Sequence, residues 1–145
     1  MTVADILKAK GRRSVMTVKP SETIGVVAHW LQREGVGAMV VSTDGQTIEG
    51  MISERDIAYA LPTHSQDLHN MLASELMTVR VITCSPKDSI AEIAKTMTNQ
   101  RIRHLPVRED GKLVGIISIG DVLAHRVSEV QVEANVLRDI ALAGR

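Results

Sequence analysis

The sequence predicts a mixed α/β (α+β) fold of two β-α-β-β-α repeats related by pseudo-twofold symmetry, with an additional helix at each end. Three observations predict it: the chain matches itself at a nearly fixed offset, apolar residues recur at helical spacing after each repeat's first proline, and two Asp-Gly pairs separate strand-like runs. Shifted by 66, Val15, Thr17, Pro20, Ile24, Ala28, Val41, Asp44 and Gly45 fall on Val81, Thr83, Pro86, Ile90, Ala94, Val107, Asp110 and Gly111. One residue is then dropped, and an offset of 65 sets Gly50, Ile52, Ser53 and Asp56 on Gly115, Ile117, Ser118 and Asp121. A self-match sustained over this distance is the signature of a duplicated supersecondary unit.

Taken in order, Val3 to Lys8 reads as a short helix entering the first repeat. A strand from Ser14 to Val18 follows, closed by Pro20. Ile24, Val27, Ala28 and Leu31 then lie on one helical face, with Thr23 placed to cap it. Two strands, Ala38 to Ser42 and Ile48 to Ser53, flank the Asp44-Gly45 turn, and a second helix starts at Glu54. The linker runs from Pro62 to Gln66, and Leu68 to Met77 is the helical entry to the second repeat. There the strand is Arg80 to Cys84, and Ile90, Ile93, Ala94 and Met97 form the helical face under a Ser89 cap. Strands Leu105 to Arg108 and Leu113 to Ser118 flank Asp110-Gly111, with a helix from Ile119. Over the final stretch, Val127, Val130, Ala134, Leu137 and Ala141 form one stripe of a helix. It either docks a second copy or packs on its own module. The divisions are thus 1–66, 67–127 and a C-terminal helix over 128–145.

A chain of 145 residues accommodates one compact unit, or two half-domains sharing a core, and excludes a large multidomain enzyme. Apolar residues at 44% and charged residues at 23% are those of a folded globular domain. Trp30 and Tyr59 are the only aromatics apart from histidine, so the core is aliphatic and base-stacking platforms are not expected. Lys plus Arg and Asp plus Glu both number 17, which removes the basic surplus that nucleic-acid or anionic-membrane binding needs. Apolar runs are only a few residues long, and Met1-Thr2-Val3-Ala4-Asp5 does not resemble a leader, so a cytoplasmic protein is expected. The lone Cys84 fits a reducing compartment and has no adjacent base that would make it a nucleophile. The five histidines lack metal-ligand spacing, and no Gly-rich phosphate loop or catalytic triad pattern occurs, so neither a metal nor a catalytic residue is expected.

The chemistry rests on the duplicated Ser-x-x-Asp. A strand that ends in Ser53 or Ser118 and turns directly into a helix puts a hydroxyl where amide groups and the positive helix end favour phosphate. Three residues on, Asp56 and Asp121 are placed to accept hydrogen bonds from the two hydroxyls of a ribose. The alternative for each tetrad alone is a helix cap with a dipole-complementing carboxylate; recurrence in both repeats favours the ligand.

These units, with Arg103-His104-Leu105-Pro106-Val107, Leu113-Val114-Gly115-Ile116-Ile117-Ser118 and Ser118-Ile119-Gly120-Asp121, resemble a tandem pair of cystathionine-beta-synthase-type (CBS) domains, a Bateman module. The resemblance covers nearly the whole chain and is closest to standalone bacterial pairs. It implies clefts between the repeats that accept AMP, ADP or ATP, or in some members NAD(H) or S-adenosylmethionine. It implies a regulatory role without catalysis, no resident cofactor and an unidentified regulated protein; a homodimer is expected because an isolated module would leave the Val127, Val130 and Leu137 stripe exposed. Thr17 and Thr83 resemble base-pocket positions, with Val18, Ile52, Ile82 and Ile117 enclosing the ring. Arg103 and His104 match phosphate-reaching positions, and Arg55 adds charge. Their counterparts are Gly37 and Ala38, so repeat symmetry is expected to set Arg103 and His104 toward Asp56, and Gly37 and Ala38 toward Asp121. The competing function is an interaction protein with vestigial clefts, and a third is a nucleotide hydrolase for which no base or metal site is found.

Overall fold

The computed structural model describes residues 1–11 and 15–144. The order is α1 (Val3–Lys10), β1 (Thr17–Val18), α2 (Ile24–Glu34), β2 (Ala38–Val41), β3 (Gly50–Ser53), α3 (Glu54–His64), a 3-10 turn (Leu68–Asn70), α4 (Ala73–Leu76), α5 (Ile90–Gln100), β4 (His104–Glu109), β5 (Lys112–Ser118) and α6 (Ile119–Ala143). The predicted pair of repeats is present. Ser14, the predicted start of the first strand, lies outside the described residues.

Each repeat has its own sheet: β1 pairs parallel with β2 and β2 antiparallel with β3, while β4 pairs antiparallel with β5. The strand expected over 80–84 is reduced to one parallel bridge, Cys84 to Val107. Cys84 donates to the Pro106 carbonyl at 3.0 Å and accepts from the Arg108 amide at 2.8 Å. The next bond back along this ladder would need a donor on Pro106, which has none. The first repeat has Val40 at that position, and its strand continues to Thr17.

The two Asp-Gly turns also differ. Asp110 (φ 51°) and Gly111 (φ 75°) both take left-handed backbone, the two-residue hairpin that the dipeptide favours. Asp44 instead accepts from the amides of Gln46 and Thr47 and from the Thr47 hydroxyl, which widens the connection to 42–49. Pro62 falls inside α3 rather than opening a linker; it sits in the last turn, where it removes at most one hydrogen bond.

The entering helices cross over. Val3 and Ile6 of α1 are buried with Ile90, Leu105 and Ile117 of the second repeat, whereas Leu68 and Ala73 join Ile24, Met39 and Ile52 of the first. Backbone bonds fix the exchange: Val3 and Ala4 donate to Asp88 and Pro86, and Ala73 and Ser74 to Glu22 and Pro20. Matching glycines admit the crossing chains, since a Cβ on Gly115 would lie 2.5 Å from Leu7 and one on Gly50 would strike Met77. The segments at 3–10 and 68–76 therefore complete the opposite repeat, not the one each precedes. The helix expected over 127–142 is continuous with the one beginning at Ile119.

Candidate functional site

Ser53 and Ser118 cap α3 and α6 in the same way. The Ser53 hydroxyl accepts from the Asp56 amide at 3.2 Å, and the Ser53 amide donates to Asp56 Oδ2 at 2.8 Å; the corresponding distances for Ser118 and Asp121 are 3.2 and 2.9 Å. Both tetrads are thus capping boxes. The first helical amides are also engaged: Glu54 donates to the Gly37 carbonyl and Ile119 to that of Arg103, at 2.9 and 2.8 Å. Less of each helix start is open to an anion than the chain position implies. Among the described residues, every hydrogen bond to the Asp56 carboxylate goes to Oδ2 and none to Oδ1, as is also the case at Asp121.

A cleft of about 220 Å³ opens beside Ser53 and Asp56, slightly below the roughly 300–1,000 Å³ of small-molecule sites. Its walls include Arg55, Arg103 and His104, as expected. They also include Gly37 and Ala38, which were expected toward Asp121. The reason lies near the pseudo-twofold axis: a Cβ on Gly37 would come within 3.0 Å of the His104 ring and 3.3 Å of Glu54, so these matched positions meet each other. The sequence reasoning missed Met51, Glu54, Thr78, Arg80, Val81, Arg101 and Ile102 in the walls. Four arginines against Glu54 and Asp56 give the cleft a formal charge of +2 (4 − 2).

Thr17, Val18 and Thr83 are not among its walls. Val18 is buried in the first core with Ile52, and Ile117 is buried in the second, so of the four side chains expected around a ring only Ile82 faces the cleft. The Thr17 hydroxyl lies near Gly45 instead. Strand alternation separates core from cleft on β3, where Met51 and Ser53 are half-buried and line the cleft while Gly50 and Ile52 are buried.

Asp121 has a different neighbourhood. Lys10, at the end of the crossing α1, donates to Asp121 Oδ2 at 2.9 Å and to the Ile116 carbonyl at 3.0 Å. Burial works to raise the Asp121 pKa, but the Ser118 amide and the Lys10 ammonium outweigh it and hold the carboxyl below its ordinary value. Burial pushes His104 down, against the pull of Glu54 and Asp121, so its imidazole is neutral at neutral pH rather than charged. Burial, with Asp88 nearby, pushes the Cys84 thiol up to about 12, which makes it a poor nucleophile.

Among the described residues no group of three or more His, Cys, Asp or Glu is gathered as for a metal, and no helix is long and apolar enough to cross a membrane.

A family model for the CBS domain matches residues 3–63 and 73–128. An uncharacterized protein of Methanopyrus kandleri is 32% identical over 113 residues, 77% of this chain; the chain spans only 58% of that relative's length. The crystal structure of a CBS-domain containing protein from Agrobacterium tumefaciens superposes with a TM-score of 0.83 at 37% identity, covering 87% of this chain and 99% of that one. The CBS domain pair of protein MJ0100, crystallised with 5′-methylthioadenosine and S-adenosyl-L-methionine, gives a TM-score of 0.76 at 25% identity, over 89% of this chain and 98% of its own.

Proposed function

The chain belongs to the CBS-domain family, whose paired domains are regulatory modules, and on that premise we propose that it senses an adenine nucleotide without transforming it. The single observation that carries this reading is the Asp56 cleft. A ribose bound to Asp56 Oδ1 would set its phosphates among Arg55, Arg80, Arg101 and Arg103, with Met51, Val81 and Ile82 as an apolar wall for the base. AMP, ADP, ATP and NAD(H) all have this chemistry. The MJ0100 pair was crystallised with two adenosine compounds, which supports the adenosyl part of the assignment. S-adenosylmethionine is the second reading, disfavoured here because its sulfonium would sit among arginines. Thr17, Val18 and Thr83 are assigned indirect roles, supporting the strands behind the clefts. Occupancy shifts the packing of the two repeats, and a regulated protein in the cytoplasm reads the shift.

Isothermal titration with AMP, ADP, ATP, NADH and S-adenosylmethionine tests the proposal. Micromolar binding of at least one phosphate-bearing adenosine ligand, with no turnover on prolonged incubation, is expected. Flat titrations for all five would favour an interaction protein with vestigial clefts, and steady breakdown of ATP would make it an enzyme.

A further inference from the structure

Away from the Asp56 cleft, the distal part of α6 carries a run of uncovered apolar side chains. At 1.5 Å per residue its 25 residues extend about 37 Å, yet Val122 in the first turn is its only buried side chain. From there on Val127 is 64% and Leu137 67% exposed, and Val130, Val132, Val136, Ile140 and Leu142 are at least half exposed. A helical segment of this length without a partner is marginal in water, and so much exposed aliphatic surface marks an interface.

Val127, Val130 and Leu137 lie on one stripe of that surface, while Val132, Val136 and Leu142 lie off it, and the sequence along the stripe specifies a partner. Leu123, Val127, Val130, Ala134, Leu137 and Ala141 recur at intervals of 4, 3, 4, 3 and 4, the a/d spacing of a coiled-coil seam. Val127, Ala134 and Ala141 take the a positions and Leu123, Val130 and Leu137 the d positions. Val127 at a between Leu123 and Val130 at d, with Leu137 at the last d, fits a two-stranded seam, and Ala134 and Ala141 let the two helices approach closely. Charge then decides direction. Glu133 stands at g and Arg138 at the following e, five residues on, too far along one helix to pair with each other but placed to pair across a parallel dimer. Neither takes part in an ion pair among the described residues. The antiparallel arrangement that matches the same seam would instead set Glu133 against Glu133 of the other chain.

We propose that the Leu123-to-Ala141 seam of α6 pairs in parallel with the same seam of a second copy of this chain, as a two-stranded coiled coil. The two modules then stand side by side at one end of the coil. Their clefts report to a shared element that starts at the Ser118 cap.

Light scattering and disulfide trapping on the full chain test this. The protein should have the mass of two chains, and Leu137→Asp should have that of one, keeping the cooperative unfolding of the two repeats while losing part of the helical circular dichroism of distal α6. Oxidised Leu137→Cys should give a covalent dimer, since d faces d in the parallel form; buried Cys84 does not interfere. Glu133→Arg should weaken the dimer by roughly two- to fivefold, and adding Arg138→Glu should restore it. A monomeric wild type, a dimer that survives Leu137→Asp, or failure of the Leu137→Cys variant to cross-link would overturn the proposal.

Discussion

Among the described residues, the two Ser-x-x-Asp tetrads have the same internal geometry and different neighbours. At Asp56 the capping box opens on a cleft lined by four arginines; at Asp121 the same box carries an ion pair with Lys10 on its Oδ2. The tetrad alone guarantees the helix cap. What makes one copy a candidate ligand site comes from segments outside the motif: residues 78–82 and 101–104 around Asp56, and the crossing α1 around Asp121. Duplication has therefore produced two copies of a cap that, among the described residues, meet different cations.

The largest effect that would sharpen this contrast is at Asp56. Asp56→Ala removes charge-assisted hydrogen bonds worth roughly 1.5–3 kcal/mol, so titration should read a loss on the order of 10- to 100-fold at this cleft. The same change strips the carboxylate from the capping box, at about 1 kcal/mol of stability. Asp56→Asn keeps an acceptor for the Ser53 amide and separates the two losses. Ribose and 2′-deoxyribose nucleotides should differ by a similar factor with the wild type and not with Asp56→Ala. Equal binding of both sugars by the wild type would remove Asp56 from the site.

A smaller effect is expected from Lys10→Met, which tests the other half of the contrast. The ion pair is partly exposed, so breaking it should cost only about 0.2–1 kcal/mol. The fold holds the Asp121 pKa below its ordinary value, so the carboxylate's contribution is present above that value and lost as pH falls through the depressed one. Wild type and Lys10→Met should therefore differ by a constant amount between pH 5 and 8 and converge in acid below about pH 4. If Lys10 competes with a ligand for Asp121, the variant should bind roughly two- to fivefold more tightly at that cleft. Weaker binding would make Lys10 a ligand contact and the two clefts alike after all.

Much of this arrangement was legible because it is local. The offsets of 66 and 65, the helical faces after Pro20 and Pro86 and the Asp110-Gly111 hairpin each depend on neighbours in the chain. The crossing of α1 and α4 was not, since exchanging equivalent segments between similar repeats leaves every local pattern intact; only Gly50 and Gly115, facing Met77 and Leu7, hinted at a close approach. Lys10 and Asp121 are 111 residues apart, and no periodicity links them. Arg80 and Arg101 read as ordinary exposed residues until the fold gathers them. Val18, Ile52 and Ile117 were expected at the cleft from the resemblance to base-pocket positions, but core formation claims these side chains first.

The smallest effect concerns His104, which the structure sets between the two sites. The groups acting on its ring come from both: Glu54 and Asp121 favour the imidazolium, Lys10 and Arg103 oppose it, and burial, the largest influence, keeps it neutral. An imidazole whose folded pKa is lowered supports the fold fully above its unfolded value of about 6.5 and loses that support as pH falls through it, because the unfolded chain binds the proton more readily. Thermal unfolding of the wild type should therefore decline more steeply between pH 7 and 5 than that of His104→Gln. A bound phosphate would reverse part of this by stabilising the imidazolium, so wild type should gain affinity for ATP relative to His104→Gln over the same interval. If His104 belongs to the Asp56 cleft, this gain should disappear in the Asp56→Ala background, where the nucleotide is no longer held beside the ring. If the gain persists there and is lost in Asp121→Ala instead, the phosphates lie on the Lys10 side of the axis and the two clefts exchange the roles assigned to them.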